Sequence, residues 1–538
     1  MTNVFLPARR AACAAVAACA LLAATPTIAA EPDPQATRAL HAMFERQWEE
    51  SARLFPEFAT YRGDHRYGDQ LSDASPEAQA GRDEWTRRTL AQAHAVPRDK
   101  LGATDRVSLD LFIANQQRYV DQQAFPGWRT MSVGALGGAQ SHFASLLSVS
   151  PAARREQVEQ MLARMAAAER AELQAAARQA IGSHVRPALQ RLRSFVADEY
   201  LPKAPADGAL KNYPDGVRVY EMLVRQQTTT ELSAQQIHDI GQRELQGLRA
   251  AMEAAMAQTS FTGRFDAFVE FLNTDPRFFH TSPEALLAGY RDIAKRLDAE
   301  LPRLFAELPR APYGVQPMPA HMGSNRAEYY NGPALDGSRA GIFFANTAGW
   351  RTKPAWGMET LVAHEAVPGH HLQIARAAEL RGLPNFRRSG FGYTAFTEGW
   401  ALYAETLGFE LGLYTDPHSR FGHLQWQAFR AARLVVDTGY HALGWSRQRC
   451  IDFMVERTGV DRDFVSAEVD RYTSQPAQAL AYMIGKLKFD ELRDRAKARL
   501  GERFDIRAFH NAVLDQGALP LSTLDRVVDE WIAAQAGG

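Results

Sequence analysis

The segment His364–His371 holds three imidazoles and a carboxylate within eight residues, in the string HEAVPGHH. A second acid, Glu398, follows in the string TEGWA. Two neutral imidazoles and one carboxylate can hold a zinc ion and leave one coordination position open for water. A glutamate directly after the first histidine, here Glu365, is typical of the general base in such sites. The pattern therefore predicts a zinc-dependent hydrolase with one zinc ion per chain, bound by His364, a second histidine and Glu398.

The spacing of the histidines leaves the second imidazole ligand open. On a straight helix, six residues rotate His370 about 600° from His364, whereas seven residues return His371 to the same face but raise it roughly 10 Å. Because Zn–N bonds are about 2 Å long, one zinc ion cannot bind both histidines in either arrangement. Pro368 removes a main-chain donor, and Gly369 accepts unusual dihedral angles. A bulge at these two residues would move His370 into the usual i+4 position, so we favour His370 and keep His371 as the alternative.

Further polar residues stand at helical spacing near this group. Glu405 lies seven residues after Glu398, close to the same helix face, and could orient a ligand histidine through its other ring nitrogen. A solvated charge is the alternative for Glu405. Arg433, Asp437 and His441 recur every four residues on an otherwise apolar helix, so they pair within the core or line a cleft. If these residues line a cleft, we expect His441 to be catalytic, by donating a hydrogen bond to a developing oxyanion, and Arg433 to bind a substrate carboxylate.

Two late tyrosines, Tyr472 and Tyr482, are candidate catalytic donors because a phenol can stabilise a tetrahedral oxyanion. For each, a buried tyrosine with a satisfied hydroxyl is the alternative. Lys486, in the same run as Tyr482, is a candidate substrate-binding residue. The apolar run 341–346 predicts a strand just before the HE pair, and its edge could hold an extended peptide. Asn346 at its end is a further substrate-binding candidate, although an ordinary buried strand explains the run equally well.

Helical patterning dominates the chain and predicts a mainly α fold. Capping boxes at Ser233 and Thr281 precede apolar stripes of helical spacing. The segments predicted as helices are 35–54, 151–200, 233–257, 282–308, 355–380, 396–413, 422–457 and 475–500. Residues 309–350, rich in Pro, Gly and Asn, break the pattern and carry the strand. We expect one large helical domain over 31–538, with two lobes meeting near 200–215, a deep central cleft, and the small β segment beside the metal helix.

The N-terminus and the composition indicate a soluble, exported protein. Residues 1–30 combine Arg9 and Arg10 with an apolar run and small residues, the pattern of a cleaved signal peptide. Cys19 ends a stretch that also resembles a lipoprotein cleavage box, which makes membrane anchoring the less favoured alternative. The mature chain would keep only Cys450, which excludes an intrachain disulfide and a cysteine-based zinc site. A net charge of -1 gives no indication of nucleic-acid binding, and no second apolar run is long enough to span a bilayer.

Several strings resemble a known family: HEAVPGHHLQ, TEGWALYAE, RLVVDTGYHALGW, QALAYMIGKLK, FPEFATYRGDHRYGDQLSD and FHNAVLDQGALPLSTL. They are similar to bacterial domain-of-unknown-function family 885 over nearly the whole mature chain. That family is all-helical and related in architecture to zinc peptidases like angiotensin-converting enzyme and the oligopeptidases. The resemblance implies peptide hydrolysis in a deep cleft, with zinc held by His364, by His370 or His371, and by Glu398, and with Glu365 catalytic. Late tyrosine and histidine donors in those peptidases suit the candidates named above.

The residues and the resemblance together predict a periplasmic or secreted zinc metallopeptidase acting on short peptides. One alternative is a zinc hydrolase of another amide, such as a cell-wall peptide or a small, non-peptide acyl-amino compound. A second alternative is a binding protein for peptides, built on an inactive homologue. Neither nucleic acid nor a membrane-spanning segment is expected in the mature protein.

Overall fold

The structure is a computed structural model, and it describes residues 32–130, 163–205, 207–319, 327–389 and 392–537. It is mainly helical with one small sheet, which confirms the predicted fold class. In these ranges, no helix combines the length and the apolarity that crossing a membrane requires. The predicted signal peptide lies outside the described residues. The two lobes, the boundary near 200–215 and the deep cleft stay predictions.

The helices of the described ranges fall into three groups along the chain. The first group is α1 (Pro34–Leu54), α2 (Pro56–Tyr61), α3 (Pro76–His94), α4 (Ala103–Gln123), α5 (Pro126–Thr130), α6 (Ala167–Ala180) and α7 (Arg186–Ser194). The second group is α8 (Gly216–Thr228), α9 (Ala234–Met256), α10 (Phe265–Thr274) and α11 (Pro283–Glu300). The third group is α12 (Met358–Glu365), α13 (His370–Glu379), α14 (Asn385–Arg388), α15 (Thr394–Leu407), α16 (Pro417–His441), α17 (Arg447–Thr458), α18 (Arg462–Ser474), α19 (Ala481–Leu500), α20 (Ile506–Leu514) and α21 (Leu521–Gly537).

Three of the predicted helices are divided in the structure. Of the segment 151–200, residues 151–162 lie outside the described residues, and the rest is interrupted at 165–166 before α6 begins. The segment 355–380 becomes a short 3-10 turn followed by α12 and α13, because Pro368 cannot donate to the helical ladder. The segment 422–457 becomes α16 and α17. Gly444 between them has φ of 81°, a left-handed conformation that glycine adopts without a steric penalty. The side chain of Ser446 then caps α17 by accepting a hydrogen bond from the amide of Arg449.

The three strands form one sheet in the order β1–β3–β2. Strand β1 (Tyr313–Pro317) is parallel to β3 (Gly341–Ala345), and β2 (Tyr329–Asn331) is antiparallel to it. The predicted strand β3 is therefore central and paired on both sides, so the expectation that its edge holds a peptide is wrong. Asn346 is fully buried, and its Oδ1 accepts a hydrogen bond from the amide of Gly349 at 3.2 Å. This capping role replaces the predicted substrate contact.

One large hydrophobic core joins the second and third groups of helices. Helices α9 and α16 pack closely along their length, and Gly241 allows this approach because a Cβ there would lie 2.8 Å from side-chain atoms of Leu434 and Val435. A smaller cluster around Phe44 and Phe112 joins α1, α3 and α4. The packing fixes α16 at the centre of the molecule.

Candidate metal centre

Helix α12 ends at Glu365 and α13 begins at His370, and the turn between them is closely packed. The Val367–Pro368 peptide bond is cis. Trp400 of α15 donates from Nε1 to the carbonyl of Pro368 at 3.0 Å, in a fully buried contact. The turn is therefore tied directly to the helix that carries Glu398.

Glycine is required in this turn for a reason that the sequence did not reveal. Gly369 has φ of -76°, so it does not need a left-handed conformation. Instead, a methyl group on its Cα would overlap the main-chain oxygens of His364 and Ala363. The close approach of backbone to backbone lets the chain reverse within four residues and brings His370 back beside His364.

Three donor atoms converge at this turn. Glu398 Oε2 lies 3.6 Å from His364 Nε2 and 3.4 Å from His370 Nε2, and all three atoms fall within 4.8 Å of one another. Ligand atoms at about 2.0–2.1 Å from a tetrahedral zinc ion stand roughly 3.3–3.4 Å apart. Glu398 Oε2 is buried without a hydrogen-bond partner among the described residues. The two separations from Glu398 Oε2, and its lack of a hydrogen-bond partner, fit a divalent cation between the three side chains, and the donor types suit zinc.

The charges of the group match this assignment. Burial would raise the pKa of Glu398, but His370 and His364 lower it well below its usual range. Burial would lower the pKa of His364, but Glu398 and Glu405 raise it above 6.5. The two histidines therefore stabilise the ionised form of Glu398, which is the form that binds a metal.

Glu405 lies behind His364, as its spacing from Glu398 predicted. Its Oε1 accepts from His364 Nδ1 at 2.8 Å, and its Oε2 accepts from Gln427 Nε2 at 2.8 Å. Burial would raise the pKa of Glu405, but the hydrogen bond with His364 and the charge of Arg430 lower it. An ionised Glu405 keeps the proton of His364 on Nδ1, so the lone pair of Nε2 faces the metal position.

Substitution Glu405→Gln is expected to lower zinc affinity by roughly 10–100-fold, because it removes the charge that orients and polarises His364. Competition with a fluorescent chelator measures the affinity. Glu410→Gln, just beyond the end of α15, is the matched control, since Glu410 pairs with Arg493 instead. Equal affinities for the two variants would contradict the role of Glu405.

The hydrogen bond between Glu405 and His364 also affects the pH dependence of metal binding. A proton and a metal ion compete for Nε2 of His364, and the raised pKa of this histidine makes the proton a stronger competitor. Zinc affinity should therefore begin to fall above pH 6.5 as the pH is lowered. Glu405→Gln weakens proton binding as well, so the onset should move to a lower pH in the same titration.

Glu365, the predicted base, is buried beside the ligand group at 7% exposure. Its pKa is raised to about 8, mainly by burial and also by the charges of Glu398 and Glu328, while His370 and Arg430 act in the opposite direction. A cation at the ligand point would add a positive charge that lowers this pKa. Such a carboxyl group can gain and lose a proton near neutral pH, as a general base requires.

Tyr482 is the candidate oxyanion donor that lies next to the group. Its ring stacks on His364 with centroids 6.4 Å apart and an interplanar angle of 13°. The stacking depends on a close approach of α15 and α19, which meet at Gly399 and Gly485. A Cβ on Gly399 would lie only 2.5 Å from the Cα of Gly485, so a larger residue would separate the two helices. Burial and Glu398 raise the pKa of Tyr482, against a lowering by Arg433, so the phenol remains protonated at neutral pH.

Two other catalytic candidates do not join the group. His441 is fully buried, and both ring nitrogens bond to main chain: Nδ1 to the amide of Leu210 at 3.1 Å and Nε2 to the carbonyl of Tyr472 at 3.0 Å. Tyr472 is also buried; its hydroxyl accepts from Arg433 Nε at 3.1 Å and donates to Glu468. Their hydrogen-bonding groups are used within the core, so the structure gives both residues a packing role.

The remaining candidates are placed as follows. His371 points to the sheet, where its Nδ1 lies 2.8 Å from the Tyr330 hydroxyl and its ring centroid 4.5 Å from that of Tyr313. Of the two histidines, His370 is the one that lies with His364 and Glu398, and His371 fastens α13 to the sheet. Lys486 forms an ion pair with Asp490 one turn further along α19, so its charge is already matched.

Comparison with known proteins agrees with the motifs. The family model described as "Bacterial protein of unknown function (DUF885)" matches residues 56–171 and 165–528. The chain belongs to this family. No curated protein matches it significantly.

Two solved structures share the DUF885 chain's fold. A presumed lipoprotein from Colwellia psychrerythraea superposes with a TM-score of 0.80 at 27% identity, over 93% of this chain and 99% of that one. A presumed lipoprotein of unknown function from Shewanella oneidensis superposes with a TM-score of 0.66 at 15% identity, over 91% and 99%. The second likeness concerns the fold alone.

Sequence reasoning missed several residues near the site. Arg430 stands three residues before Arg433 on α16, and this helical spacing could have indicated a pair. Trp400 follows Glu398 by two residues, but its bond to the α12–α13 turn is a long-range contact with no local signal. Glu328 is buried and paired with Lys353 at 3.0 Å, again across the fold.

Proposed function

We propose that this protein is an exported zinc-dependent hydrolase that cleaves peptide bonds. The observation that carries the proposal is the grouping of His364, His370 and Glu398, whose ligand atoms lie within 4.8 Å of one another, with Glu365 buried beside them. A bound zinc ion polarises a carbonyl group and lowers the pKa of a coordinated water towards neutrality. The choice of a peptide bond rests on the resemblance of the motifs to zinc peptidases.

The side chains divide the reaction between them. Glu365 accepts a proton from the attacking water at its carboxylate and later delivers it to the leaving amine. Tyr482 donates its hydroxyl hydrogen to the oxyanion that develops on the substrate carbonyl. Glu405 holds His364 in the tautomer that binds the metal. Because His364, Glu365 and Glu405 are buried, bulk water is largely excluded around them, and this strengthens their electrostatic interactions.

Export is part of the proposal. Residues 1–30 carry the signal-peptide pattern, and the similar protein from Colwellia psychrerythraea is described as a presumed lipoprotein. Two forms of export should therefore be compared: cleavage before Cys19 with a lipid attached to this cysteine, and free secretion after removal of the signal peptide. Mass spectrometry of the native N-terminus distinguishes the two.

The function is tested by measuring metal and turnover on one preparation. We expect one zinc ion per chain by elemental mass spectrometry, and new product masses when the protein is incubated with a mixed peptide library. Chelation should abolish the products, and added zinc should restore them. Bound metal without any cleaved peptide would contradict a peptidase; a parallel incubation with cell-wall peptides tests the other amide class.

The two neighbouring histidines supply a matched pair of variants. His370→Asn should lose the metal and the activity, whereas His371→Asn should keep stoichiometric metal with a lower melting temperature, because it loses contacts to the sheet, with Tyr330 and Tyr313, and no contact to the metal group. Metal loss from His371→Asn alone would overturn the ligand assignment.

A further inference from the structure

We propose that Arg430 and Arg433 bind the free C-terminal carboxylate of the peptide, so that the enzyme cleaves within three residues of the carboxyl end. This inference rests on the proposed peptidase function and names the substrate class for that site. It starts from two buried arginines on one face of α16, whose guanidinium groups keep N–H donors without a hydrogen-bond acceptor among the described residues.

The two guanidinium groups have donors to spare. Arg430 is 8% exposed and Arg433 is 6% exposed. Among the described residues, nothing accepts a hydrogen bond from Nε or Nη1 of Arg430, or from Nη1 of Arg433, and each of these atoms is buried. Buried donors are normally satisfied, and a buried guanidinium left without an acceptor is costly. These three donors are therefore available to an acceptor that the described residues do not supply.

The surrounding acids do not meet this demand. Glu468 pairs with Arg433 at 2.7 Å and with Arg471 at 3.1 Å, so one carboxylate already serves two cations. Glu405 also lies near Arg430, but His364 and Gln427 occupy its oxygens. A surplus of buried positive charge remains, and it selects an anion.

The aromatic neighbours hold the pair in position. The Arg430 guanidinium carbon lies 4.7 Å from the ring centroid of Trp426, and that of Arg433 lies 4.7 Å from the ring centroid of Phe429. Stacked guanidinium groups keep a fixed plane, which suits the forked recognition of a carboxylate better than a flexible ammonium would. A carboxylate is thus the anion that matches both the charge and the geometry.

The distance to the metal group limits which carboxylate can bind. The Arg433 guanidinium carbon lies 4.6 Å from the Tyr482 ring centroid, and that centroid lies 6.4 Å from the His364 ring. The guanidinium therefore lies within 11 Å of the His364 ring, the sum of these two distances. Since an extended residue spans about 3.3–3.6 Å, about three extended residues cover the distance from the His364 ring to the guanidinium, which sets the scale between the reacting carbonyl and the bound carboxylate. A C-terminal carboxylate meets this condition in every peptide.

The test compares peptides that differ only at the carboxyl end. Each peptide is supplied as the free acid and as the C-terminal amide, and kcat/KM is measured with the zinc-loaded full chain. The amide should be cleaved about 100-fold more slowly, because it leaves buried guanidinium donors without their charged partner. Released fragments should hold one to three residues from the carboxyl end. Equal cleavage of acid and amide, or products from the middle of long peptides, would overturn the inference while leaving the peptidase function intact.

A variant assigns this preference to the arginines. Arg430→Met keeps side-chain volume but removes the charge, and its acid-to-amide ratio of kcat/KM should fall at least tenfold. The ratio is internal to each preparation, so partial unfolding does not alter it. Arg447→Met, whose charge pairs with Asp470 on the surface, should keep the wild-type ratio. A wild-type ratio in Arg430→Met would refute the role of Arg430.

A binding measurement separates this inference from the proposed function. If the metal-loaded protein cleaves no peptide, the peptidase function fails, and fluorescence anisotropy with labelled acid and amide peptides still tests the arginine pair. Tighter binding of the acid supports the pair, and equal or absent binding refutes it.

Discussion

Replacing Glu365 with glutamine is expected to leave one zinc ion per chain and to lower kcat by about 10²–10⁴-fold, the range that a general base contributes. Glutamine has nearly the same shape as glutamate, but its amide cannot take the proton of the attacking water. The metal should remain, because the three ligand atoms belong to His364, His370 and Glu398. The comparison requires zinc content and single-turnover rates on the same samples.

The control for this variant lies on the same helix. Glu359→Gln alters an acid six residues earlier on α12, where Glu359 pairs with Arg296 at 3.4 Å. It should retain a rate within about twofold of the wild type per zinc-loaded chain, because a glutamine oxygen can still accept from the Tyr414 amide and the pair with the exposed Arg296 contributes little. If Glu365→Gln kept a tenth or more of the wild-type kcat, another group would have to carry the proton.

The second large effect is expected from one methyl group. Gly369→Ala should lower zinc affinity by more than roughly 100-fold, a larger loss than removal of an outer partner of a ligand causes. The added carbon would overlap the main-chain oxygens of His364 and Ala363, so the turn must open and His370 must move from Glu398. Overpacking of this kind also costs about 1–3 kcal/mol of stability.

Chelator competition and thermal melting of the metal-free protein measure the two consequences separately. Gly382→Ala, shortly after α13, is the matched control because a Cβ there meets no atom within 4 Å. It should bind zinc like the wild type. A folded Gly369→Ala protein with unchanged zinc affinity would show that the turn does not position the ligands.

Local sequence patterns predicted much of the candidate site. The pattern from His364 to His370, interrupted by Pro368 and Gly369, indicated the broken helix and favoured His370 over His371 as the neighbour of His364, because the rise and rotation of a helix are fixed. Heptad spacing likewise predicted the approach of Glu405 to the face of Glu398. These are short-range arguments, and the mainly α fold followed from the same kind of periodicity.

Long-range packing determined what the sequence left open. His441 and Arg433 lie on one face of α16, but only the folded core shows that main chain occupies both ring nitrogens of His441 while Arg433 keeps a free donor. Strand β3 was recognised as a strand, but its central position depends on β1 and β2, which the pattern did not identify. Arg430 was missed although its spacing from Arg433 was visible.

The bond between Trp400 and the Pro368 carbonyl has a consequence for how the ion is acquired. This bond holds the turn between His364 and His370, and the hydrogen bond from His364 to Glu405 orients the first histidine. The candidate ligands are thus positioned by protein contacts alone. The apoprotein is then preorganised, and loading requires little ordering of the chain. Depletion of the ion should consequently act as a reversible switch on turnover that leaves the helical circular dichroism spectrum unchanged.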